Sequence, residues 1–218
     1  MSIQLANNGE VKSVVVLGKG SLAVKIAQYF YSSKDFSLLG IVPVMPEPKW
    51  TNSFSNWAIN LGIEIMSLEN LVLSGKKVDL GFSCFYDKIL KSRDLLAFSN
   101  ILNLHNGPLP NYRGVNPINW ALKNNEKEHG VTIHSMTTGI DDGPIFGQVK
   151  FNINPQSEEV VDVYNRSLHF AYSLFEDVIC NLEKISPIEQ DHSNASYYSK
   201  GDFQDLGDRQ GLKRKVDE

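Results

Sequence analysis

Val14-Val15-Val16-Leu17-Gly18-Lys19-Gly20-Ser21-Leu22-Ala23 is the stretch on which the fold turns. Its first four residues are wholly apolar and mostly β-branched, with no in–out alternation, so they read as a strand buried on both faces. Gly18 and Gly20 permit a tight turn, after which Leu22, Ala23, Ile26, Ala27, Tyr29 and Phe30 recur at helical spacing. Strand, turn and helix in that order open a βαβ unit, and the next apolar run, 37–44, lies at the right distance to be its second strand.

Further along, a Pro-rich loop at 43–48 leads to Trp50, a helix is expected at 54–61 with Gly62 as its stop, and 78–82 reads as another buried strand. A helix is expected over 87–98 and a strand at 101–104. The segments 131–136 and 145–153 alternate apolar and polar residues, which suits an antiparallel extension of the sheet. A last long helix should start with Ser157 as its N-cap and run to about Leu182. From Ser186 onward the chain is polar, apart from Tyr197-Tyr198, which is expected to pack on the rest. The fold class is therefore α/β: a Rossmann-like, mostly parallel sheet with helices on both faces and a short C-terminal extension. One domain is expected.

Composition narrows the function classes. Of 218 residues 42% are hydrophobic, enough for a sizeable core, and 21 basic against 25 acidic residues give a net charge of -4. A nucleic-acid surface would need a basic excess or stripe, and the one basic run, Lys213-Arg214-Lys215, reads as a solvated tail. Two distant cysteines, Cys84 and Cys180, fit a reducing compartment better than a disulfide framework. No apolar run is long enough to span a membrane and no signal core precedes Lys12, so a cytoplasmic protein is expected.

The Gly18-Lys19-Gly20-Ser21-Leu22-Ala23 turn fits G-x-G-x-x-A, a pattern that can seat a dinucleotide pyrophosphate. Such a site also needs an acid about 20 residues on for the ribose, and that zone holds only Leu38, Leu39, Gly40, Ile41 and Val42. The turn reads instead as structural or as a contact for a substrate, with Lys19 reaching it.

The informative polar cluster is Asn103-Leu104-His105-Asn106-Gly107-Pro108-Leu109-Pro110-Asn111-Tyr112-Arg113-Gly114. Asn103 and His105 alternate at a strand end and so share a face. A buried strand gains nothing from them there unless partners are waiting. A second cluster, Gly139-Ile140-Asp141-Asp142-Gly143-Pro144, is by itself an ordinary turn, but it offers the acid that a catalytic histidine needs to fix its tautomer. Asn, His and Asp together suit acyl transfer to a nucleophile that needs no activated serine or cysteine. No G-x-S-x-G, H-E-x-x-H or C-x-x-C pattern occurs, so neither a serine hydrolase nor a metal centre is expected.

Asn103-x-His105, Pro108-Leu109-Pro110, Tyr112-Arg113-Gly114, the stretch 129–134 (HGVTIH) and 140–145 (IDDGPI) together resemble the folate-dependent formyltransferases. The likeness covers roughly 12–185 as a fold and is specific over about 77–150. It implies N10-formyltetrahydrofolate as co-substrate and a catalytic domain over 1–185, with 186–218 as an extension packed on it and a mobile end. It also implies roles. Asn103 and His105 would stabilise the formyl oxygen as charge develops, and Asp141 would position His105 and handle the amine proton. Phe85, Tyr86, Ile89 and Leu90 would hold the pterin ring from one side, and Gly139, Ile140, Asp142 and Gly143 would close over the other.

Gly114-Val115-Asn116-Pro117-Ile118-Asn119-Trp120 is most similar to the amino-sugar formyltransferases, which implies a nucleotide-linked amino sugar as acceptor, for surface polysaccharide (lipopolysaccharide) synthesis. Lys19, Trp50, Asn106, Tyr112 and Asn116 are the acceptor candidates; Trp50 could stack on a base or pack against a helix. Glycinamide ribonucleotide and a carrier-bound amino acid stay open as acceptors, as do a folate hydrolase and a nicotinamide enzyme as other classes. Read as complete, the chain would lack both the extra domain of the tRNA enzyme and the N-terminal domain of the hydrolase. A homodimer is left open.

Overall fold

A computed structural model describes residues 11–209; Lys213-Arg214-Lys215 and the first ten residues lie outside them. Among the described residues, eight strands and six α-helices form. In chain order they are β1 (Lys12–Gly18), α1 (Gly20–Ser32), β2 (Phe36–Pro43), α2 (Phe54–Leu61), α3 (Leu68–Leu73), β3 (Val78–Cys84), α4 (Ser92–Leu95), β4 (Phe98–His105), β5 (Arg113–Gly114), α5 (Pro117–Lys123), β6 (Glu128–Ser135), β7 (Ile145–Asn152), α6 (Val160–Asn181) and β8 (Tyr197–Tyr198). The main sheet runs β2-β1-β3-β4-β6-β7. Its first four strands are parallel, and β6 and β7 continue it antiparallel, as the alternation at 131–136 and 145–153 suggested.

Strand parity sorts the core into two layers. Val14 and Val16 face the larger one, where α1, α2, α5 and α6 pack around Phe30, Phe82 and Phe175. Phe175 meets Phe30 and Phe82 edge to face at 5.4 and 5.0 Å between ring centres. Val15 and Leu17 face the smaller layer, covered by the short α3 and α4. The thin cover on that side is what leaves room for a cavity beyond β4.

The chain reverses its lateral direction between β1 and β3, so the sheet has its switch point there. Strand ends Gly18, Cys84 and His105 all lie at the carboxyl edge, the place where open α/β sheets bind ligands. Gly18 abuts its neighbour strand so closely that a Cβ on it would lie 2.2 Å from the Cys84 carbonyl oxygen, so its absence of side chain is a packing requirement.

Three expectations need correction. The helix over 87–98 is only Ser92–Leu95: the Lys91 N–H is capped by Asp94 Oδ2 at 2.8 Å, and the chain before it stays irregular along a cavity. The long helix starts at Val160, with the Glu159 N–H bound by Asp162, and not after Ser157. Asn154 instead gathers the N–H groups of Gln156, Ser157 and Glu158 into a turn. Third, α3 was not anticipated, although Ser67 caps the Asn70 N–H at 3.1 Å and Glu69 sits in the first turn.

Candidate active site

Asn103 and His105 leave β4 on the thinly covered face and meet Asp141, which a loop between β6 and β7 carries in at φ 50°. The His105 Nε2–H donates to the Tyr112 carbonyl at 2.8 Å, since a carbonyl can only accept. The titrating nitrogen is therefore Nδ1, which faces Asp141 Oδ2 at 3.4 Å. The same carboxylate oxygen accepts the Gly114 N–H at 2.9 Å. Asn103 Oδ1 accepts from the Ser83 hydroxyl at 2.7 Å, and its Nδ2 spreads two longer contacts to Asp141 Oδ1 (3.3 Å) and His134 Nε2 (3.2 Å). Those two contacts are loose enough for an incoming oxygen to replace one of them.

His134 belongs to the cluster and was not singled out in the sequence. It lies opposite Asn103 in the antiparallel register of β4 with β6, donates its Nδ1–H to the Ser135 carbonyl at 2.8 Å, and so turns an acceptor nitrogen toward the Asn103 amide. Alternation along 129–134 could have shown which face it shares, but only the register shows what it meets.

Burial pushes the His105 imidazole below its ordinary pKa, against the pull of Asp141. Burial works to raise the Asp141 carboxyl, but His105, His134 and the Gly114 N–H outweigh it and hold it well below the usual carboxylate range. At neutral pH the pair is thus a neutral imidazole beside a carboxylate, a base with an oriented acceptor nitrogen. The Ser83 hydroxyl bonds Asn103 and not His105, so the nucleophile must come with a substrate. Among the described residues no cluster of metal-binding side chains occurs, and no helix is long and apolar enough to cross a membrane.

His129, fully buried behind this loop, donates Nε2–H to the Asn106 carbonyl at 3.0 Å and leaves Nδ1 without a hydrogen bond. Burial lowers its pKa to about 4. The folded state then resists a proton that the unfolded chain takes up near 6.5, so stability is full above that pH and declines as pH falls toward 4. The loss should approach roughly 3 kcal/mol. Chemical unfolding at pH 7.5 and 5.0 checks this: His129→Gln should reduce the difference, leaving the part that His105 contributes, and an unchanged difference would count against it.

One cavity opens on the cluster, and a second shares a wall with the first. The first, of about 400 Å³, is lined by Asn103, His105, His134 and Asp141 at its polar end and by Phe85, Tyr86, Leu90 and Met136 along its apolar side. Ile89, 70% exposed, and Gly139 and Ile140 also line it. Asp142 and Gly143 do not line it. Asp142 accepts from the Thr137 hydroxyl, and Gly143 packs so tightly on Ser135 that a Cβ would lie 2.1 Å from its carbonyl oxygen; both shape the loop from behind.

The second cavity, about 570 Å³, is walled by Trp50, Asn116, Ile118, Tyr164 and Phe203. Lys19, Asp87, Asn106 and Lys200 line both, with Lys19 and Asp87 paired at 3.1 Å. Trp50 sets its edge against Tyr164 at 5.9 Å while lining the cavity; Trp57 packs on Phe54. Tyr112 lines neither: its ring stacks on Tyr198, its hydroxyl bonds Glu126 at 2.6 Å, and it serves the site through its backbone carbonyl. Lys200 and Phe203 come from the C-terminal segment, where no local pattern marked them.

The chain is similar to several known proteins. A methionyl-tRNA formyltransferase of Pseudothermotoga lettingae is 34% identical over 157 residues, 69% of this chain and 51% of its own. The bifunctional polymyxin resistance protein ArnA of Wigglesworthia glossinidia brevipalpis is 36% identical over 132 residues, 59% of this chain and 20% of its own. The chain thus spans about half the length of the first of these curated relatives and a fifth of the second. Among solved structures, the sugar 3N-formyltransferase WlaRD, in the presence of dTDP and 5-N-formyl-tetrahydrofolate, superposes with a TM-score of 0.79 at 27% identity, over 88% of this chain and 71% of its own. An N-formyltransferase from Helicobacter canadensis, in complex with folinic acid and dTDP-3-aminofucose, gives 0.77 at 28% identity, over 88% and 72%. A family model described as formyl transferase matches residues 67–179, which takes in β3, the Asn103–His105 strand and the Asp141 loop, and the chain belongs to that family.

Proposed function

We propose that this chain transfers a formyl group from N10-formyltetrahydrofolate, held in the smaller cavity, to the amine of a nucleotide-linked amino sugar in the larger one. The observation that carries this reading is the shared wall: the cavity that opens on one base, one carboxylate and one amide donor shares Lys19, Phe85, Asn106 and Val115 with the second, larger one. A flat heterocycle suits the smaller cavity, whose aromatic and aliphatic side ends in polar groups.

The folate supplies the formyl carbon: a new C–N bond to the amine replaces the bond to N10, the amine gives up a proton and N10 gains one. The chain's own part is positioning and charge. The Asn103 amide donates toward the oxygen on which charge develops. His105 Nδ1 takes the amine proton, and Asp141 steadies the imidazolium that results. Lys19, paired with Asp87, and Lys200 leave one net positive charge beside the larger cavity, which favours an anionic acceptor such as a sugar nucleotide. The dTDP and dTDP-aminofucose complexes of the structural relatives support that class. A transfer that modifies a sugar before its use in a surface polysaccharide would follow.

The name of the Pseudothermotoga lettingae relative favours a second acceptor, methionyl-tRNA. Tetrahydrofolate release should be followed with dTDP-, UDP- and GDP-linked amino sugars, glycinamide ribonucleotide, an aminoacyl carrier and methionyl-tRNA. Turnover with a sugar nucleotide is the expected outcome. Turnover with methionyl-tRNA alone would replace the sugar by RNA, and formate release without a formylated product would turn the enzyme into a hydrolase.

A further inference from the structure

Gln190 lies beyond the family match, after α6, yet it is only 6% exposed and every hydrogen-bonding capacity of its amide is used. Both hydrogens of Nε2 go to backbone carbonyls of the catalytic loop, Asp141 O at 2.9 Å and Gly143 O at 2.7 Å. Oε1 accepts twice from Arg113, from Nε at 3.1 Å and Nη2 at 2.6 Å. Arg113 is itself buried. Its other contact is His192 Nδ1 at 3.2 Å, and among the described residues no carboxylate pairs with it. A two-way backbone bridge between Ile188 and Ile145, at 2.8 and 2.9 Å, sets the segment that presents Gln190.

The bonds of Gln190 join the same two pieces that the active site joins. Arg113 precedes Gly114, whose N–H holds the Asp141 carboxylate, and Gln190 holds the carbonyl of that same aspartate. Asp141 sits at φ 50°, in the left-handed region that few non-glycine residues adopt and that aspartate is among the residues to tolerate. We propose that Gln190 is a positioning residue for Asp141, fixing from behind the loop the approach of its carboxylate to His105, so that the segment after α6 is a working part of the active site. This rests on the reading of His105 and Asp141 as the reacting pair. Only a primary amide offers two donors and two acceptors in one plane, so glutamate keeps the Arg113 contact and loses both loop contacts.

The test uses the full chain and two readouts. The first, which needs no substrate, is the NMR titration of the His105 ring. The titratable groups whose charges act on that ring are Asp141, His134 and His129, and loss of the Asp141 charge must lower the midpoint. Asp141→Asn sets the size of the full shift. Gln190→Met is expected to give at least half of it in the same direction. Should the unpaired guanidinium unfold that variant, Arg113→Met/Gln190→Met removes both buried partners together. A folded variant whose His105 titrates as in the wild type, while Asp141→Asn shifts, overturns the proposal.

The second readout is turnover of Gln190→Glu with the acceptor found by the panel. Here kcat should fall about 10- to 100-fold, with KM for both substrates within about 3-fold, as expected when reacting groups are misplaced. A wild-type kcat overturns the proposal. Silence of the wild-type enzyme toward every acceptor refutes the functional reading instead, and leaves the titration to decide the link from Gln190 to Asp141.

Discussion

Alanine at Asn103 is expected to cut kcat by about 10²- to 10³-fold, the loss typical of removing one donor from a site where negative charge develops. Alanine at His105 should do at least as much, and the pair together little more than the worse of the two, because residues that act as one unit lose their effect once. The structure adds a control that the motif alone does not offer. Asn103 Oδ1 accepts from Ser83 on β3, so part of any loss could come from a loosened β3–β4 edge. Ser83→Ala removes that bond and leaves the Asn103 amide group in place, and should cost kcat less than about 10-fold. Steady-state turnover and thermal unfolding of the variants decide it. Asn103→Ala at wild-type rate in a folded protein would remove the asparagine from the chemistry, and equal losses for Ser83→Ala and Asn103→Ala would make its role one of packing.

Gly114→Ala should be severely damaging. Gly114 has φ 91°, and a Cβ on it would lie 2.1 Å from the carbonyl oxygen of Tyr198. That same oxygen accepts the Val115 N–H at 2.9 Å, so it cannot retreat without breaking the pairing of β5 with β8. Behind the pairing, Tyr198 stacks on Trp120 at 4.2 Å between ring centres, and in front of it the Gly114 N–H holds the Asp141 carboxylate. The expected cost is about 2 to 4 kcal/mol of stability, the range for a forced backbone shift with loss of hydrogen bonds. The kcat loss should be about 10-fold or more as Asp141 moves. Gly62→Ala is the matching control: Gly62 has φ 67° at the end of α2, with nothing within 4 Å of the added carbon, so only the conformational penalty of about 1 kcal/mol applies and activity should not change. Equal destabilisation of the two variants would show that the clash has no consequence.

Much of the molecule was legible because local chemistry records it. A short, β-branched apolar run ended by glycines, such as 14–17, suits a strand covered on both sides, and the loose alternation of 145–153 suits a strand toward the sheet's end. Asn103, His105 and Asp141 stood out for the same reason in reverse: polar groups at a buried strand end and an acid between glycines cost free energy unless partners meet them. What could not be read is everything that depends on which segments meet. The pairing of Asn103 with His134 follows from a cross-strand register; Tyr112 turned its ring into the core and kept only its carbonyl for the site; Asp142 and Gly143 shape the loop from behind the cavity. Gln190, Lys200 and Phe203 reach the site across the fold from a polar stretch with no periodicity of its own. Side-chain period and burial preference act within a few residues of the chain, whereas a hydrogen bond between residues 141 and 190 exists only once the sheet has brought their backbones together.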